Sequence, residues 1–156
     1  IGAMQKSSRH SKITGDFGEA LVLYWLSKRG FECARIDHVG IDLLARRLNS
    51  AEVLGISVKC RSRNEGRETS GVNLLRKHDE KIEKACKAFM SIPYVAIVAD
   101  QGPILRGFLL PLSHLRKLAP GGSWSMSPNK VLSYKRDPLI DSFELESRDG
   151  NWRAMA

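Results

Sequence analysis

The stretch that decides the fold runs from Thr14 to Arg63 and reads TGDFGEALVLYWLSKRGFECARIDHVGIDLLARRLNSAEVLGISVKCRSR. Its first part predicts a helix over about Asp16–Arg29, and Gly30 is placed to end it in a left-handed conformation. The apolar residues at three- and four-residue steps are Phe17, Leu21, Tyr24 and Trp25. This spacing predicts that the four residues form the buried face of the helix.

The second part of the stretch predicts three strands. Their expected bounds are Phe31–Ile36, Ile41–Ala45 and Val53–Arg61. Because side chains alternate across a strand, Ser57, Lys59 and Arg61 share the face opposite to Ile56, Val58 and Cys60. In the preceding strand Ile41, Leu43 and Ala45 share the apolar face. Asp42 therefore lies on the other face, where a hairpin would bring it near Lys59.

The rest of the chain predicts a long helix followed by two more strands. The helix is expected over about Asn73–Met90 and the strands over Tyr94–Ala99 and Ile104–Leu110. The expected stripe of the helix is Leu74, His78, Ile82, Cys86 and Phe89. Ser113–Leu118 predicts a helical turn, and residues 120–128 predict a loop. The fold class is therefore α/β, with a mixed sheet flanked by helices in the order αβββαββ.

Composition favours one domain and a polyanionic partner. The 156 residues are 42% hydrophobic and carry a net charge of +8. We expect a flexible basic arm over residues 1–13, with Ile1–Ala3 left over from an expression tag, and a single domain over residues 14–156. No apolar run approaches the roughly 20 residues of a membrane span. Three scattered cysteines indicate neither a disulfide framework nor a zinc site. We therefore expect a cytoplasmic protein.

Glu19, Asp42 and Lys59 are the first candidates for catalytic or metal-binding residues. An acid and a lysine on an otherwise apolar sheet lose hydration and need a partner or a metal ion, so Asp42 and Lys59 form a candidate site. Taken alone, a salt bridge between neighbouring strands explains this pair more simply. Glu19 follows Asp16 at the spacing of a capping box, which explains both acids without any function.

Three short motifs in this order resemble the PD-(D/E)xK nuclease superfamily. They are Gly15-x-x-Gly18-Glu19, Gly40-Ile41-Asp42 and Val58-Lys59. The pattern is most similar to small bacterial proteins akin to archaeal Holliday-junction resolvases and restriction endonucleases. The resemblance implies a restriction-endonuclease-like core and metal-dependent cleavage of DNA.

The resemblance also implies a role for each motif residue. Glu19, Asp42 and the backbone carbonyl of Val58 would bind Mg²⁺ or Mn²⁺. Lys59 would position or activate the attacking water and stabilise developing charge. Such a metal ion supplies both a nucleophile made from water and charge neutralisation at the phosphate.

The sequence departs from the family pattern at Ser57, where the family carries Glu, Asp or sometimes Gln. A hydroxyl cannot replace a carboxylate as a strong ligand of a hard metal ion. Three interpretations stay open. Glu19 and Asp42 suffice with the Val58 carbonyl, or a nearby acid such as Asp37 or Glu52 enters the site, or cleavage has been lost and binding kept.

Basic residues around the motifs are candidates for nucleic-acid binding, and they are Arg61, Arg63, Arg67 and Lys12. Residues 101–136 contain several cations and no acid, which is typical either of a phosphate-tracking groove or of an ordinary solvated surface. Trp124 on the predicted loop would either stack on a base or cover the sheet. His78 on the helical stripe is interpreted as a core histidine.

Three functional hypotheses follow from these observations. The first is a metal-dependent endonuclease that acts on DNA, with RNA as a second possible substrate, no membrane contact and the option of a homodimer. The second is a protein of the same fold that has lost catalysis and binds nucleic acid or a partner, as Ser57 suggests. The third is a structural protein whose basic charge meets an acidic protein surface.

Overall fold

A six-stranded mixed sheet organises the protein, of which the computed structural model describes residues 5–147. In chain order the strands are β1 (Phe31–Arg35), β2 (Leu43–Arg47), β3 (Val53–Arg61), β4 (Val72–Asn73), β5 (Ile92–Gln101), β6 (Ile104–Pro111), β7 (Ser123–Trp124) and β8 (Asp141–Glu146). The main sheet has the order β1-β2-β3-β5-β6-β8, and β4 pairs with β7 separately. Its neighbours are antiparallel except β3 and β5, which run parallel.

Four α-helices and one 3₁₀ turn flank this sheet. They are α1 (His10–Lys28), the 3₁₀ turn Arg76–His78, α2 (Asp79–Ala88), α3 (Leu112–Leu118) and α4 (Pro128–Arg136). A parallel strand pair needs a crossover, and α2 lies in the connection between β3 and β5. The predicted α/β class and the order αβββαββ are therefore confirmed, with short elements added around them.

The sheet separates two apolar cores. On one face α1 places Val22 and Leu26 against β2 and β3, where Leu43 and Ile56 are completely buried. On the other face α2, α3 and α4 cover β5 and β6, with Ile97 at the centre. Alternation along β3 therefore occurs as predicted, since Ile56 and Cys60 belong to the α1 side and Gly55 contacts Cys86 of α2.

Several predicted bounds in the N-terminal half are wrong. Helix α1 begins at His10 instead of about Asp16, so the last part of the expected arm, residues 10–13, is helical. Asp16 lies inside the helix and pairs with Lys12 at 3.2 Å, which excludes the capping-box explanation. Gly30 does adopt a left-handed φ of 83° after the helix, as predicted.

The predicted buried face of α1 is half right, since Leu21 and Trp25 pack against the core but Phe17 and Tyr24 do not. Phe17 is 47% exposed and Tyr24 is 61% exposed, whereas Gly18, Val22 and Leu26 are buried. The reason is that α1 approaches β3 so closely at Gly18 that a side chain has no room there. Ile41 likewise belongs to the core on the α2 side rather than sharing the face of Leu43, because β2 begins only at Leu43.

The predicted long helix and the unassigned C-terminal region differ as well. The expected helix over Asn73–Met90 is a short strand, a 3₁₀ turn and α2 in succession. Trp124 is completely buried and stacks on Tyr134 at 3.9 Å between ring centroids. The interpretation of Trp124 as a base-stacking residue is therefore wrong, and its alternative, a cover for the sheet, is confirmed.

Charges that are segregated along the sequence are paired in space. Arg106 and Lys135 both form ion pairs with Glu144, and Arg116 pairs with Asp79. Three cations of residues 101–136 are therefore paired with acids, which favours the alternative of an ordinary surface over a phosphate-tracking groove. Asp149 and Ile1–Ala3 lie outside the described residues. Among residues 5–147, none of the helices combines the length and apolar character of a membrane span.

Candidate active site

Glu19, Asp42 and Lys59 come together where β2 begins. Glu19 lies on α1, Asp42 directly precedes β2, and Lys59 lies on β3. Asp42 raises the pKa of the Glu19 carboxyl, in part through a hydrogen bond between the two side chains. Asp42 also counteracts the lowering of the Lys59 pKa, so its carboxylate lies within electrostatic range of both groups. The predicted convergence of the two acids and the lysine is therefore present.

Backbone contacts hold Asp42 at the end of the β2–β3 ladder. Its N–H donates to the Ile56 carbonyl at 2.8 Å, and its own carbonyl accepts from the Ile36 N–H at 3.0 Å. The Oδ2 atom accepts from the Val58 N–H at 2.7 Å. Because β2 starts opposite Ile56, this side chain takes the hydrogen bond that a longer β2 would have made. The carboxylate is thus fixed by β3 rather than left to rotate.

The glycine that precedes Asp42 is required by the packing of its loop. Gly40 has a φ of 114°, a conformation that L side chains rarely adopt. A Cβ at this position would clash with the backbone carbonyl of Lys81 on α2. The Gly40-Ile41-Asp42 motif therefore has a structural reason, since the loop must press against α2 before it enters the sheet.

Helix α1 positions Glu19 through an equally close contact between Gly18 and β3. A Cβ on Gly18 would clash with Cβ of Cys60 on β3. Burial and Asp42 raise the pKa of Glu19. The Arg35 guanidinium, 3.4 Å from Oε2, offsets part of this rise but does not cancel it. The site therefore contains two crowded carboxyl groups, one of which resists ionisation.

Lys59 is half-buried beside these acids. Burial lowers its pKa first, Arg61 lowers it further, and Asp42 opposes both effects. The ammonium group is therefore more acidic than an exposed lysine and is directed to a site that already contains negative charge.

His78 is a neighbour of the site that the sequence did not reveal. It was predicted in the core stripe, but it ends the 3₁₀ turn and is partly exposed. Partial burial lowers its pKa, and Lys59, Lys77 and Lys81 lower it further. The interpretation as a core histidine is wrong because the helical period was extended over residues that form a 3₁₀ turn.

Ser57 is 3% exposed and pairs with Val95 in the parallel ladder. Two acids were considered as its substitute. Glu52 precedes β3 at the opposite end from Lys59, where it adds to burial in raising the pKa of Tyr94. Asp37 is exposed in the loop that leads to Asp42. Within residues 5–147 no group of three or more His, Cys, Asp or Glu side chains could hold a metal ion.

The donors that are present still fit Mg²⁺ or Mn²⁺. Mg²⁺ is commonly bound by one or two carboxylates while several waters stay attached. Burial and the neighbouring Asp42 carboxylate raise the pKa of the Glu19 carboxyl, and a divalent cation between the two groups would stabilise their ionised forms. The carbonyl of Val58 shares its strand edge with the N–H that Asp42 accepts from, so it lies on the same side of β3.

The predicted nucleic-acid-binding residues fall into two groups. Arg63 is used within the fold, because its guanidinium donates to the Gly71 carbonyl at 2.5 Å and its N–H donates to the buried Asp100. Lys12 is exposed beside Asp16, Arg67 is exposed, and Arg61 lies close enough to Lys59 to lower its pKa. Of the four, Arg61 is the one that the structure places beside the candidate site.

A comparison with solved structures shows what the chain is similar to. One such protein is Hjc from Archaeoglobus fulgidus, a Holliday junction resolvase from an archaeal hyperthermophile, with a TM-score of 0.49 and 23% sequence identity. The match covers 64% of this chain and 73% of that chain. No family model and no curated protein matches the chain.

Proposed function

We propose that the protein is a metal-dependent endonuclease that acts on DNA. The observation that carries the proposal is the meeting of the Glu19 and Asp42 carboxyl groups, with Lys59 within electrostatic range of Asp42. These residues come from three separate elements, and a simple salt bridge would need only one of the two acids. The order of their motifs in the sequence supports the same conclusion.

Glu19, Asp42 and the Val58 carbonyl would hold the divalent ion. When bound, such an ion supplies a water of lowered pKa and positive charge for the phosphate oxygens. The Val58 N–H would hold Asp42 in position through Oδ2. The Oδ1 atom would then bind the ion. Lys59 would donate to the phosphate or to the attacking water, and its ammonium group stabilises the negative charge that develops there.

Cleavage of supercoiled plasmid DNA tests this proposal. The parent protein should nick the plasmid with Mg²⁺ or Mn²⁺ and not with EDTA. Asp42→Asn and Lys59→Met should each reduce the nicking rate by about 100-fold or more, the usual scale for lost charge stabilisation in a site. Asp16→Asn is the matched control, because Asp16 lies on the same helix as Glu19, forms an ion pair with Lys12 and has the smallest of the effects on the Glu19 pKa.

Two outcomes decide the question. Loss of nicking in both site variants, with Asp16→Asn unchanged, supports the proposal. Nicking by Asp42→Asn at the parental rate overturns it, because the activity would then come from elsewhere. Comparing cleavage of a single-stranded RNA with cleavage of a DNA strand of the same sequence identifies the preferred nucleic acid. The homodimer stays a prediction, which sedimentation of the parent protein tests.

A binding protein without catalysis is the second candidate, and buried Ser57 favours it. The site has one carboxylate fewer than the family pattern, which weakens the attraction for a divalent ion. This candidate predicts salt-sensitive DNA binding with no cleavage under any divalent ion. It also predicts that calorimetry detects no metal uptake by the parent protein.

A further inference from the structure

Three cations surround one histidine on the α2 side of the candidate site. The pKa of His78 is lowered by Lys59 of β3, by Lys77 in the same 3₁₀ turn and by Lys81 in the first turns of α2. Lys77 and Lys81 therefore lie near the lysine of the site, although they are far from it in sequence. The sequence pattern alone assigned them to an ordinary solvated helix.

Packing independently places Lys81 next to the loop that carries Asp42. Gly40 lies against the backbone carbonyl of Lys81, and a Cβ at position 40 would also contact Ala85. Gly40 is two residues before Asp42. The part of α2 from Lys81 to Ala85 therefore packs against the loop that leads to Asp42, and we call the start of this helix the wall of the site.

One acid beside this wall, Asp79, is neutralised by another part of the fold, whereas Glu80, which precedes Lys81, is exposed. Asp79, which directly follows His78, is bound by the Arg116 guanidinium, with Nε 2.6 Å from Oδ2. Arg116 also donates to the Leu74 carbonyl, which holds the ion pair in place. Throughout residues 5–147, no acidic side chain forms an ion pair with Lys77 or Lys81. Both lysines are exposed, so their charge is available to a ligand.

We propose that Lys77 and Lys81 bind the phosphate backbone of DNA on the α2 side of the site. A nucleic-acid strand at Lys59 would meet these two ammonium groups in addition to Arg61. This inference rests on the proposed function for the identity of the polyanion, but it concerns binding and not cleavage. Its consequence is that α2 has a second role beyond covering the sheet.

Helix α2 offers a control with the same change of charge. Lys84 and Lys87 are exposed on this helix, within a face opposite to the buried Ile82, Ala85 and Cys86. The double variants Lys77→Gln/Lys81→Gln and Lys84→Gln/Lys87→Gln therefore lose equal charge from the same element. Far-UV circular dichroism checks that both keep the fold of the parent protein.

Fluorescence anisotropy with a labelled 20-base-pair duplex, measured in EDTA at several KCl concentrations, tests the proposal. Each phosphate contact contributes about 0.9 to the slope of log K against log salt. The Lys77→Gln/Lys81→Gln variant should lose about 1.8 from this slope and bind more weakly. The Lys84→Gln/Lys87→Gln variant should keep the parental slope.

Equal effects of the two double variants would overturn the proposal, because net charge alone would then explain binding. Unchanged binding by Lys77→Gln/Lys81→Gln, or no binding by the parent protein at the lowest salt concentration, would overturn it as well. The outcome is separate from that of the proposed function. If duplex binding depends on the two lysines but no cleavage occurs, DNA binding by Lys77 and Lys81 is supported and the proposed nuclease activity is rejected.

Discussion

At the scale of single residues, Glu19 would bind the metal ion as a carboxylate, but ionisation of this group destabilises the metal-free fold. Its pKa is raised first by burial and then by Asp42, and the Arg35 ion pair compensates only in part. A carboxyl group whose pKa is raised in the folded protein stabilises the fold while it is protonated. That stabilisation is complete below the unfolded pKa and is lost as the pH rises through the folded pKa.

Glu19→Gln should therefore stabilise the metal-free protein at neutral pH. We expect a gain of up to about 1 kcal/mol in the free energy of unfolding, the scale of an exposed charge interaction. The gain should be present at pH 7 and should shrink as the pH falls through the raised folded pKa toward the ordinary value of 4.5. Urea unfolding in EDTA across this range measures it.

A constant difference between the two proteins at every pH would contradict this interpretation, as would a Glu19→Gln variant that is less stable at pH 7. Asp16→Asn is again the control, since Asp16 is exposed and belongs to a different ion pair. Its unfolding should follow that of the parent protein apart from the small loss of the contact with Lys12.

The residues of the site differ in how far sequence could predict them. Glu19, Asp42 and Lys59 were predicted because each stands in a short motif of fixed order. His78 was missed because its proximity to Lys59 depends on the 3₁₀ turn that precedes α2. Arg63 was predicted as a DNA-binding residue, yet its hydrogen bonds to Gly71 and Asp100 become visible only once the following loop is folded.

At the scale of elements, the contact between α1 and β3 decides where Glu19 lies. Gly18 allows this contact, and any side chain there would clash with Cβ of Cys60. Gly15 is the natural comparison, because it lies in the same helix and a Cβ there would meet nothing within 4 Å. The two glycines of the Gly15-x-x-Gly18-Glu19 motif thus have different structural roles.

Gly18→Ala should destabilise the protein by about 1–3 kcal/mol, since overpacking forces the helix away from the sheet. It should also displace Glu19 and lower any metal-dependent activity. Gly15→Ala should instead stabilise the protein by up to about 1 kcal/mol, because alanine is the better helix former. Thermal unfolding of both variants checks this, and equal stability of the two would contradict the packing argument.

The elements themselves were predictable to different degrees for physical reasons. The bounds of β3 were predicted as observed, because apolar residues fill its first half and apolar and polar residues alternate from Ile56 to Arg61. The buried face of α1 was only half predicted, since apolar residues occur around most of that helix and the contact is made by a glycine. Helix α4 and strand β8 carry weak periodic patterns, and packing against the β6 side of the sheet defines them.

At the scale of the whole molecule, the site exists because segments that are distant in sequence meet where β2 begins and β3 ends. The loop before β2, the end of β3 and the N-terminal half of α1 are joined by the Val58–Asp42 hydrogen bond and the Gly18–Cys60 contact. Sequence predicted the mixed sheet but not the pairing of charges across it. Glu144, for example, neutralises Arg106 and Lys135, which belonged to an apparently acid-free segment.

The central claim is that Glu19 and Asp42 act as one binding site for a divalent ion. Isothermal titration calorimetry with Mn²⁺ tests it most directly, on the parent protein and on Glu19→Gln, Asp42→Asn and Asp16→Asn. We predict one ion per chain in the parent and in Asp16→Asn, and a loss of at least about tenfold in affinity in each of the other two variants, the lower end of the change expected even for weakened ligand support. Parental affinity in Glu19→Gln and Asp42→Asn, or no Mn²⁺ uptake by the parent protein, would contradict the claim.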